Sequence, residues 1–354
     1  MQTQLFDLIK SEVRGQKAYA AETLTAPIRL DANENPLPLP SGLHDELMAA
    51  LRRVQLNRYP EAGSTTLLGR FAEKYGVAGT MLMVGNGSDE LIQILCNALA
   101  ATHVLVPLPT FAMYRISARN NGHEVLEVPL DGDFDLDLPV MLEQIETHRP
   151  GLIFLSYPNN PTGNCFSRSK MERLLEKAPG LVVVDEAYGN FSEQSFLPLL
   201  DKYENLAILK TLSKIGLAAL RIGFLIAAPP LVQELNKVRL PYNLNALSQV
   251  AAGFYLDHEG VFLEQAAEIV GRRNKLFHDL QQLPGIRPYP SAANFIFFNC
   301  LLDTDRVYEN LYRQGILIKN FPNSGHLKNC MRVAVGTQRE NEVFLGALER
   351  IIAK

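Results

Sequence analysis

Short apolar runs alternate with helix-like stretches through the middle of the chain. Six of these runs are apolar almost throughout and are bounded by polar or turn-forming residues, a pattern typical of strands that are buried on both faces. They cover residues 103–106, 124–128, 152–156, 181–184, 206–209 and 222–227. Because such strands belong in a mainly parallel sheet with helices on both faces, the sequence predicts an α/β large domain.

The pattern changes near residue 260. Apolar positions at helical spacing between Val261 and Leu280 predict one long helix, which Pro284 and Gly285 are expected to end. Beyond it, the sequence predicts a smaller α+β domain, with strands at 293–298, 316–319 and 331–335 and helices at 304–314 and 338–352.

The first forty residues carry little periodicity. Leu5, Leu8 and Ile9 predict one short helix, and three prolines between residues 36 and 40 exclude a helix there. We therefore expect an N-terminal arm associated with the small domain, a large domain and a small C-terminal domain, over residues 1–40, 41–260 and 261–354.

Composition narrows the class of protein. The chain has 354 residues, of which 47% are hydrophobic, so it can bury a large core. A formal net charge of -4 without a long basic run argues against nucleic acid or an anionic membrane as partner and favours small-molecule ligands. No apolar run is long enough to span a membrane, and the first residues do not resemble a signal peptide.

The cysteines indicate the compartment. Cys96, Cys165, Cys300 and Cys330 are scattered, with no close pair for a zinc site or a redox motif. A reduced, cytoplasmic setting is therefore expected rather than a disulfide framework.

Polar side chains follow three of the predicted strands, at the sheet edge where ligands bind in parallel sheets. The strand at 152–156 runs into Asn160, the strand at 181–184 into Asp185 and Tyr188, and the strand at 206–209 into Ser213 and Lys214. Together they place an amide, a carboxylate, a phenol and an amine on one rim.

Lys214 is the candidate nucleophile of this rim. A partly buried lysine either pairs with an anion or gives up its proton and attacks a carbonyl carbon. The alternative is an ordinary exposed loop lysine.

A glycine-rich turn at 85–90 links a predicted strand at 81–84 to a helix. Such a turn points free backbone N–H groups at one place and favours phosphate there, with Ser88 as the expected N-cap of the helix. The alternative is a tight turn that simply needs glycine. A dinucleotide site is less favoured, because the third glycine of that motif is missing.

Arg332 is a charged residue in an otherwise apolar strand. Such a charge needs an anionic partner, which is either a ligand or a protein carboxylate in a structural salt bridge.

These motifs resemble those of the fold-type I pyridoxal-phosphate aminotransferases. The matching segments are Asn-Asn-Pro-Thr-Gly at 159–163, Asp-Glu-Ala-Tyr at 185–188, Ser-Lys at 213–214 and Leu-Arg-Ile-Gly at 220–223. Within that class, the segments at 31–36, 58–60, 85–90 and 332–337 resemble the histidinol-phosphate aminotransferase family, and the likeness extends over nearly the whole chain.

The resemblance implies pyridoxal 5′-phosphate as cofactor. Lys214 would bond covalently to it and move a proton between the substrate and the cofactor, while Asp185 would pair with its pyridine nitrogen. Tyr188 and Asn160 would hydrogen-bond its 3′-oxygen. Phe111, where close relatives usually carry tyrosine, would stack on its ring.

The resemblance also implies a phosphate site and a homodimer. The cofactor phosphate would contact the backbone N–H groups at the helix N-terminus, two hydroxyls, a guanidinium and a tyrosine from the partner subunit. In this chain these residues are Ser88, Asp89, Thr211, Ser213, Arg221 and Tyr59.

For the substrate, the resemblance implies a phosphorylated amine, L-histidinol phosphate, which exchanges its amino group with 2-oxoglutarate. The products would be imidazole acetol phosphate and glutamate. The implied substrate residues are Tyr19, Tyr242, Asn243, Asn294, Lys319 and Arg332. Lys319 stands where an arginine is expected, so the charge is kept but the planar fork for bidentate binding is lost.

Three alternatives stay open. A threonine-phosphate decarboxylase would use the same lysine chemistry on another phosphorylated amine, and an aromatic aminotransferase would share the reaction. A non-catalytic binding or regulatory protein is the third, although the complete set of lysine, aspartate, tyrosine and arginine argues against it.

Overall fold

The computed structural model describes residues 7–16, 18, 24–321 and 325–353. Within those residues, the structure has twelve strands and twelve α-helices. The strands are β1 (Ile28–Leu30), β2 (Leu82–Asn86), β3 (His103–Leu108), β4 (Glu124–Pro129), β5 (Leu152–Ser156), β6 (Leu181–Asp185), β7 (Leu206–Thr211), β8 (Ile222–Ala227), β9 (Ile286–Pro288), β10 (Phe295–Cys300), β11 (Ile316–Asn320) and β12 (Cys330–Ala334).

The α-helices pack on both faces of the larger sheet and against the smaller sheet. They are α1 (Ser11–Arg14), α2 (Ser41–Leu51), α3 (Thr65–Tyr75), α4 (Ser88–Ala98), α5 (Met113–Asn120), α6 (Leu138–His148), α7 (Arg168–Lys177), α8 (Pro229–Asn236), α9 (Ala246–Asp257), α10 (Glu259–Gln281), α11 (Thr304–Arg313) and α12 (Gln338–Ile352).

The larger sheet has seven strands in the order β2-β8-β7-β6-β5-β3-β4. The pairs from β7 through to β4 are parallel, and β8 is antiparallel to both of its neighbours. Residues from alternate positions of its strands enter two separate apolar cores, one on each face. The predicted α/β large domain with a mainly parallel sheet is therefore confirmed, since strands buried on both faces have no polar side to alternate.

The smaller sheet has five strands in the order β1-β11-β12-β10-β9. β1 comes from the N-terminal arm and pairs in parallel with β11, so residues 28–30 of the arm belong to this sheet. The sequence pattern did not predict β1, because three residues are too short to show alternation. Helix α10 leads from the larger sheet into this domain, and buries Phe262, Ile269 and Leu276 along one face.

The short helix predicted from Leu5, Leu8 and Ile9 is wrong at Leu8 and Ile9, the two of these residues that the structure describes. Leu8 and Ile9 lie in a turn, and the helix is α1, which begins at Ser11; Leu5 lies outside the described residues. Among the helices of the described residues, none combines the length and the apolar character that crossing a membrane requires.

Candidate active site

The parallel register brings the ends of β5, β6 and β7 together. Ser156 at the end of β5 is opposite Asp185 at the end of β6, and Asp185 is opposite Leu209 of β7. Lys214 follows β7 in the helical turn Ser213–Leu217. The polar side chains that the sequence places after these strands therefore share one edge of the sheet.

Asp185 is buried, with 3% of its surface exposed. Its Oδ2 accepts a hydrogen bond from the Tyr114 hydroxyl at 2.8 Å, and its Oδ1 accepts one from the Ala187 backbone N–H at 3.0 Å. Burial, which these two uncharged donors only partly offset, raises the pKa of Asp185 to about 6. A protonated ligand nitrogen beside this carboxylate would be strongly favoured.

Lys214 is partly buried rather than an exposed loop lysine. Its Nζ donates to the Ala32 carbonyl at 3.2 Å and lies 5.7 Å from the centre of the Tyr188 ring. The arm residue Ala32 and the large-domain residue Tyr188 therefore hold the amine between them.

Tyr188 and Asn294 are joined through Asn33. Asn33 Nδ2 donates to the Tyr188 hydroxyl at 3.0 Å, and Asn294 Nδ2 donates to the Asn33 carbonyl at 2.9 Å. Because the Tyr188 oxygen accepts from Asn33, its own proton is directed to another acceptor. The structure thus joins the arm, the large domain and the small domain at Tyr188.

The N-terminus of α4 forms the candidate phosphate site. Gly87 is the N-cap, with a φ of 86°, so the expectation that Ser88 is the N-cap is wrong: Ser88 is the first helical residue. Only glycine adopts this φ without strain, and no side chain of the described residues caps the helix. The first N–H groups of α4 are therefore left to bind an anion.

Arg221 brings a positive charge to that helix end. Its guanidinium donates to Asp89 Oδ2 at 3.0 Å and to Ser213 Oγ at 3.4 Å, and Thr211 Oγ1 donates to Ser213 Oγ at 3.0 Å. A Cβ on Gly87 would lie 2.6 Å from the Arg221 Nη2, so glycine is also needed for the guanidinium to come this close. Hydroxyls, backbone N–H groups and a guanidinium together suit a phosphate.

Arg332 of the smaller sheet is nearly buried, with 8% of its surface exposed. Its Nη1 donates to Asn160 Oδ1, its Nη2 donates to the Asp31 carbonyl at 2.7 Å, and its guanidinium lies 5.2 Å from the Phe295 ring. Lys319 of β11 is opposite Arg332 of β12 in the antiparallel register. The two cations therefore point to the same face of the small sheet.

Tyr59, Tyr242 and Asn243 form a second group near α4. The rings of Tyr59 and Tyr242 stack at 4.6 Å and are 80% and 42% exposed. Asn243 Nδ2 donates to Glu90 Oε2 at 2.7 Å, which joins it to the first turn of α4. Tyr19 lies outside the described residues.

Two residues that lie next to the site, Asn33 and Tyr114, were not predicted from the sequence. Asn33 belongs to a turn-prone segment, and Tyr114 lies on α5, where its ring is perpendicular to Phe111 at 5.6 Å and parallel to Phe154 at 4.7 Å. The one available signal for Tyr114 was its spacing of three residues from Phe111, which would place both side chains on one helix face.

The donor set fits pyridoxal 5′-phosphate. The buried carboxylate of Asp185 suits a protonated ring nitrogen, the Lys214 amine suits an aldehyde, and the α4 N-terminus with Arg221 suits a phosphate. Phe111, which is partly buried, follows β3 at the same edge of the sheet.

Residues 25–348 match the protein family described as aminotransferase class I and II. A curated protein of Nitrosococcus oceani, histidinol-phosphate aminotransferase 2, is 44% identical over 346 residues, which are 96% of this chain and 96% of that protein. A histidinol-phosphate aminotransferase of Chromobacterium violaceum is 43% identical over 347 residues, 97% of each.

A solved structure supports the same fold. The histidinol-phosphate aminotransferase of Sinorhizobium meliloti, in complex with pyridoxal-5′-phosphate, has a TM-score of 0.87 to this chain at 23% identity, and the likeness covers 98% of both chains. At this identity the likeness concerns the arrangement of the backbone.

Proposed function

Because the chain belongs to the aminotransferase class I and II family, whose cofactor is pyridoxal 5′-phosphate, we propose that it transfers the amino group of L-histidinol phosphate to 2-oxoglutarate. The products are imidazole acetol phosphate and glutamate, and the reaction is a step of histidine biosynthesis. The observation that carries the proposal is the identity of 43–44% to proteins of that name over nearly their whole length.

When bound, pyridoxal 5′-phosphate supplies an electron sink for the carbon that loses its proton. In this proposal the Lys214 amine would be the base that moves a proton between the α-carbon of the substrate and the bound cofactor. The Asp185 carboxylate would hold the protonated ring nitrogen. Tyr188, whose oxygen accepts from Asn33, would donate its own proton to the 3′-oxygen, and Asn160 would contact the same oxygen.

The remaining cofactor contacts position it. Ser88 and Asp89 offer backbone N–H groups at the N-terminus of α4, and Arg221, Ser213 and Thr211 offer a charge and two hydroxyls. By holding the phosphate, these residues would fix the position of the cofactor relative to the Lys214 amine.

We propose that Arg332 and Lys319 bind the anionic ends of both substrates. A ping-pong enzyme must accept a phosphate monoester in one half-reaction and a dicarboxylate in the other, and both are anions. Arg332 is nearly buried next to Asn160, and Lys319 lies opposite it on the neighbouring strand. Charge-assisted hydrogen bonds from these two cations suit either ligand.

Replacing Arg332 with alanine is therefore expected to slow both half-reactions. Loss of a charged hydrogen bond of about 1.5–3 kcal/mol corresponds to a decrease of about ten- to a hundredfold in each. Lys319→Arg is expected to be tolerated or favourable, because it adds the planar fork. Single-turnover absorbance measurements of each half-reaction test this, and unchanged rates in Arg332→Ala would make Arg332 a structural residue.

The assay that tests the proposed function compares two phosphorylated amines. Incubation of the cofactor-loaded protein with L-histidinol phosphate is expected to bleach the visible absorbance of the cofactor without release of carbon dioxide, and 2-oxoglutarate is expected to restore it. Threonine phosphate is expected to cause neither change. Release of carbon dioxide from threonine phosphate would identify a decarboxylase instead, and a response to aromatic amino acids alone would identify an aromatic aminotransferase.

We also propose that the enzyme works as a cytoplasmic homodimer in which Tyr59 reaches the cofactor phosphate of the partner subunit. Support comes from exposed apolar side chains at the stacked pair of Tyr59 and Tyr242, of which Tyr242 is 42% exposed, and at their sequence neighbours Leu56 and Leu240, which are 82% and 69% exposed. Four free cysteines support the reducing compartment. Sedimentation equilibrium is expected to give twice the chain mass of 39.4 kDa, and a monomer would contradict the shared site.

A further inference from the structure

Glu186 follows the candidate pyridine-binding residue Asp185, but it points away from it into the protein. Its side chain is 0% exposed and forms an ion pair of 2.6 Å with Lys210, which is 17% exposed. Glu186 also accepts hydrogen bonds from Ser195 Oγ at 2.9 Å and from the Phe196 backbone N–H at 2.7 Å. A buried carboxylate with this many donors is fixed in one position.

These contacts close a loop that carries Tyr188. Ser195 and Phe196 lie nine and ten residues after Glu186, so the carboxylate ties the two ends of this segment together. Gly189 lies directly against the pair, because a Cβ there would be 3.3 Å from the Glu186 Cβ and 3.9 Å from the Lys210 Nζ. Tyr188, one residue before Gly189, therefore lies in a segment whose two ends the Glu186 carboxylate holds together.

The other partner connects the loop to Lys214. Lys210 lies on β7, which runs into the turn that carries Lys214, and β7 pairs with β6 in parallel register. The ion pair thus joins the strand that ends in Asp185, the loop that carries Tyr188 and the strand that leads to Lys214.

We propose that Glu186 and Lys210 are positioning residues of the active site, which hold Tyr188 and Lys214 in register and cancel each other's charge beside them. Neither residue belongs to the proposed cofactor contacts, and both are held by protein groups. The inference rests on the bond between Lys214 and the cofactor that the proposed function includes, but it does not depend on which amine is the substrate.

Other charged and titratable groups also face the pair. Those that lie near it come from α3, from α9 and α10, and from the segment after β5: Lys74, Tyr75, Tyr255, Glu259, Tyr157 and Cys165. Lys74 and Glu259 form a second ion pair, and the Lys74 and Lys210 ammonium groups lie 5.4 Å and 5.5 Å from the centre of the Tyr75 ring. This second pair provides a matched control.

The test is a pH titration of the absorbance of the cofactor-loaded protein without substrate. Lys210→Met leaves a negative charge at Glu186, which favours the protonated form of the linkage to Lys214, so the midpoint is expected to rise. Glu186→Gln leaves a positive charge at Lys210, so the midpoint is expected to fall. Each shift is expected to be about 0.5 pH unit, the size of a charge–charge interaction between groups that are not in contact.

Two further variants leave no unpaired charge: the double variant Glu186→Gln/Lys210→Met and the conservative variant Lys210→Arg. Their midpoints are expected to lie within about 0.2 pH unit of the wild-type midpoint. The control Glu259→Gln is expected to lower thermal stability but to shift the midpoint by less than half as much. If the pair had a purely structural role, the midpoints of both single variants would shift in the same direction or not at all. Either result would overturn the inference.

A single variant with a buried unpaired charge is the one most prone to misfold. The double variant then decides, because it leaves no such charge: its turnover is expected to be about tenfold lower than that of the wild type, since the two uncharged side chains would hold the loop less firmly than the ion pair. Wild-type turnover in a folded double variant would overturn the inference without affecting the assignment of the substrate.

Discussion

Replacing Asp185 with asparagine is expected to lower turnover by about 10²- to 10⁴-fold while the protein still binds its cofactor. An amide is nearly the same size as a carboxylate: its oxygen can accept from the Ala187 N–H, and its NH2 group can donate to the Tyr114 hydroxyl oxygen, where the carboxylate accepts from both groups. It carries no charge, so it does not stabilise a protonated ring nitrogen, and the ring becomes a weaker electron sink. Steady-state rates with L-histidinol phosphate, together with cofactor absorbance, measure the effect.

The same substitution is expected to stabilise the protein from which the cofactor has been removed. Burial raises the pKa of Asp185 from 3.8 to about 6, so the folded chain binds this proton more tightly than the unfolded chain. The resulting stability is fully present below pH 4 and is lost as the pH rises through about 6. Asp185→Asn should therefore raise the thermal midpoint at pH 8 and have a smaller effect at pH 4.

Asp135 offers a matched control for both measurements. Burial raises its pKa, but hydrogen bonds from Lys170 and Ser167 outweigh this effect and hold the pKa of Asp135 below its usual value. Asp135→Asn should therefore destabilise the protein at pH 8 and leave turnover unchanged. Near wild-type turnover in Asp185→Asn would contradict the proposed role of Asp185 at the ring nitrogen.

Replacing Lys214 with alanine is expected to lower turnover by about 10⁴-fold or more, the largest effect in the site. The variant loses both the covalent attachment point and the base that moves the proton, and such joint roles are not additive. Lys210 is close in sequence but cannot take over, because its ammonium is paired with Glu186 at 2.6 Å. Rates with saturating cofactor measure the loss. Turnover within tenfold of the wild type would show that another group acts as base.

The strands of the larger sheet could be predicted from the sequence because each is buried on both faces. The runs at 152–156 and 222–227 match β5 and β8 residue for residue, and the long helix α10 ends before Pro284 and Gly285 as expected. The location of Asp185 and Lys214 at one edge of the sheet could be predicted as well, because the carboxyl ends of parallel strands lie at the same edge.

The missed features depend on contacts between residues that are far apart in sequence. Asn33 meets Tyr188 only because the arm returns to the sheet edge, and β1 exists only because β11 offers it a partner. Glu186 looks like an ordinary charged residue after a strand, until the fold places Lys210 against it. Ser88 has the right side chain for an N-cap, but the φ of Gly87 moves the cap one residue earlier.

The central claim is that Lys214 is the amine that carries pyridoxal 5′-phosphate, and reduction of the purified protein with borohydride tests it most directly. Reduction converts the bond between the cofactor and its lysine into a stable secondary amine, and peptide mass spectrometry then locates it. We expect loss of the yellow colour and a single modified residue, Lys214. An unmodified Lys214 with the adduct on another lysine, such as Lys210, would contradict the account.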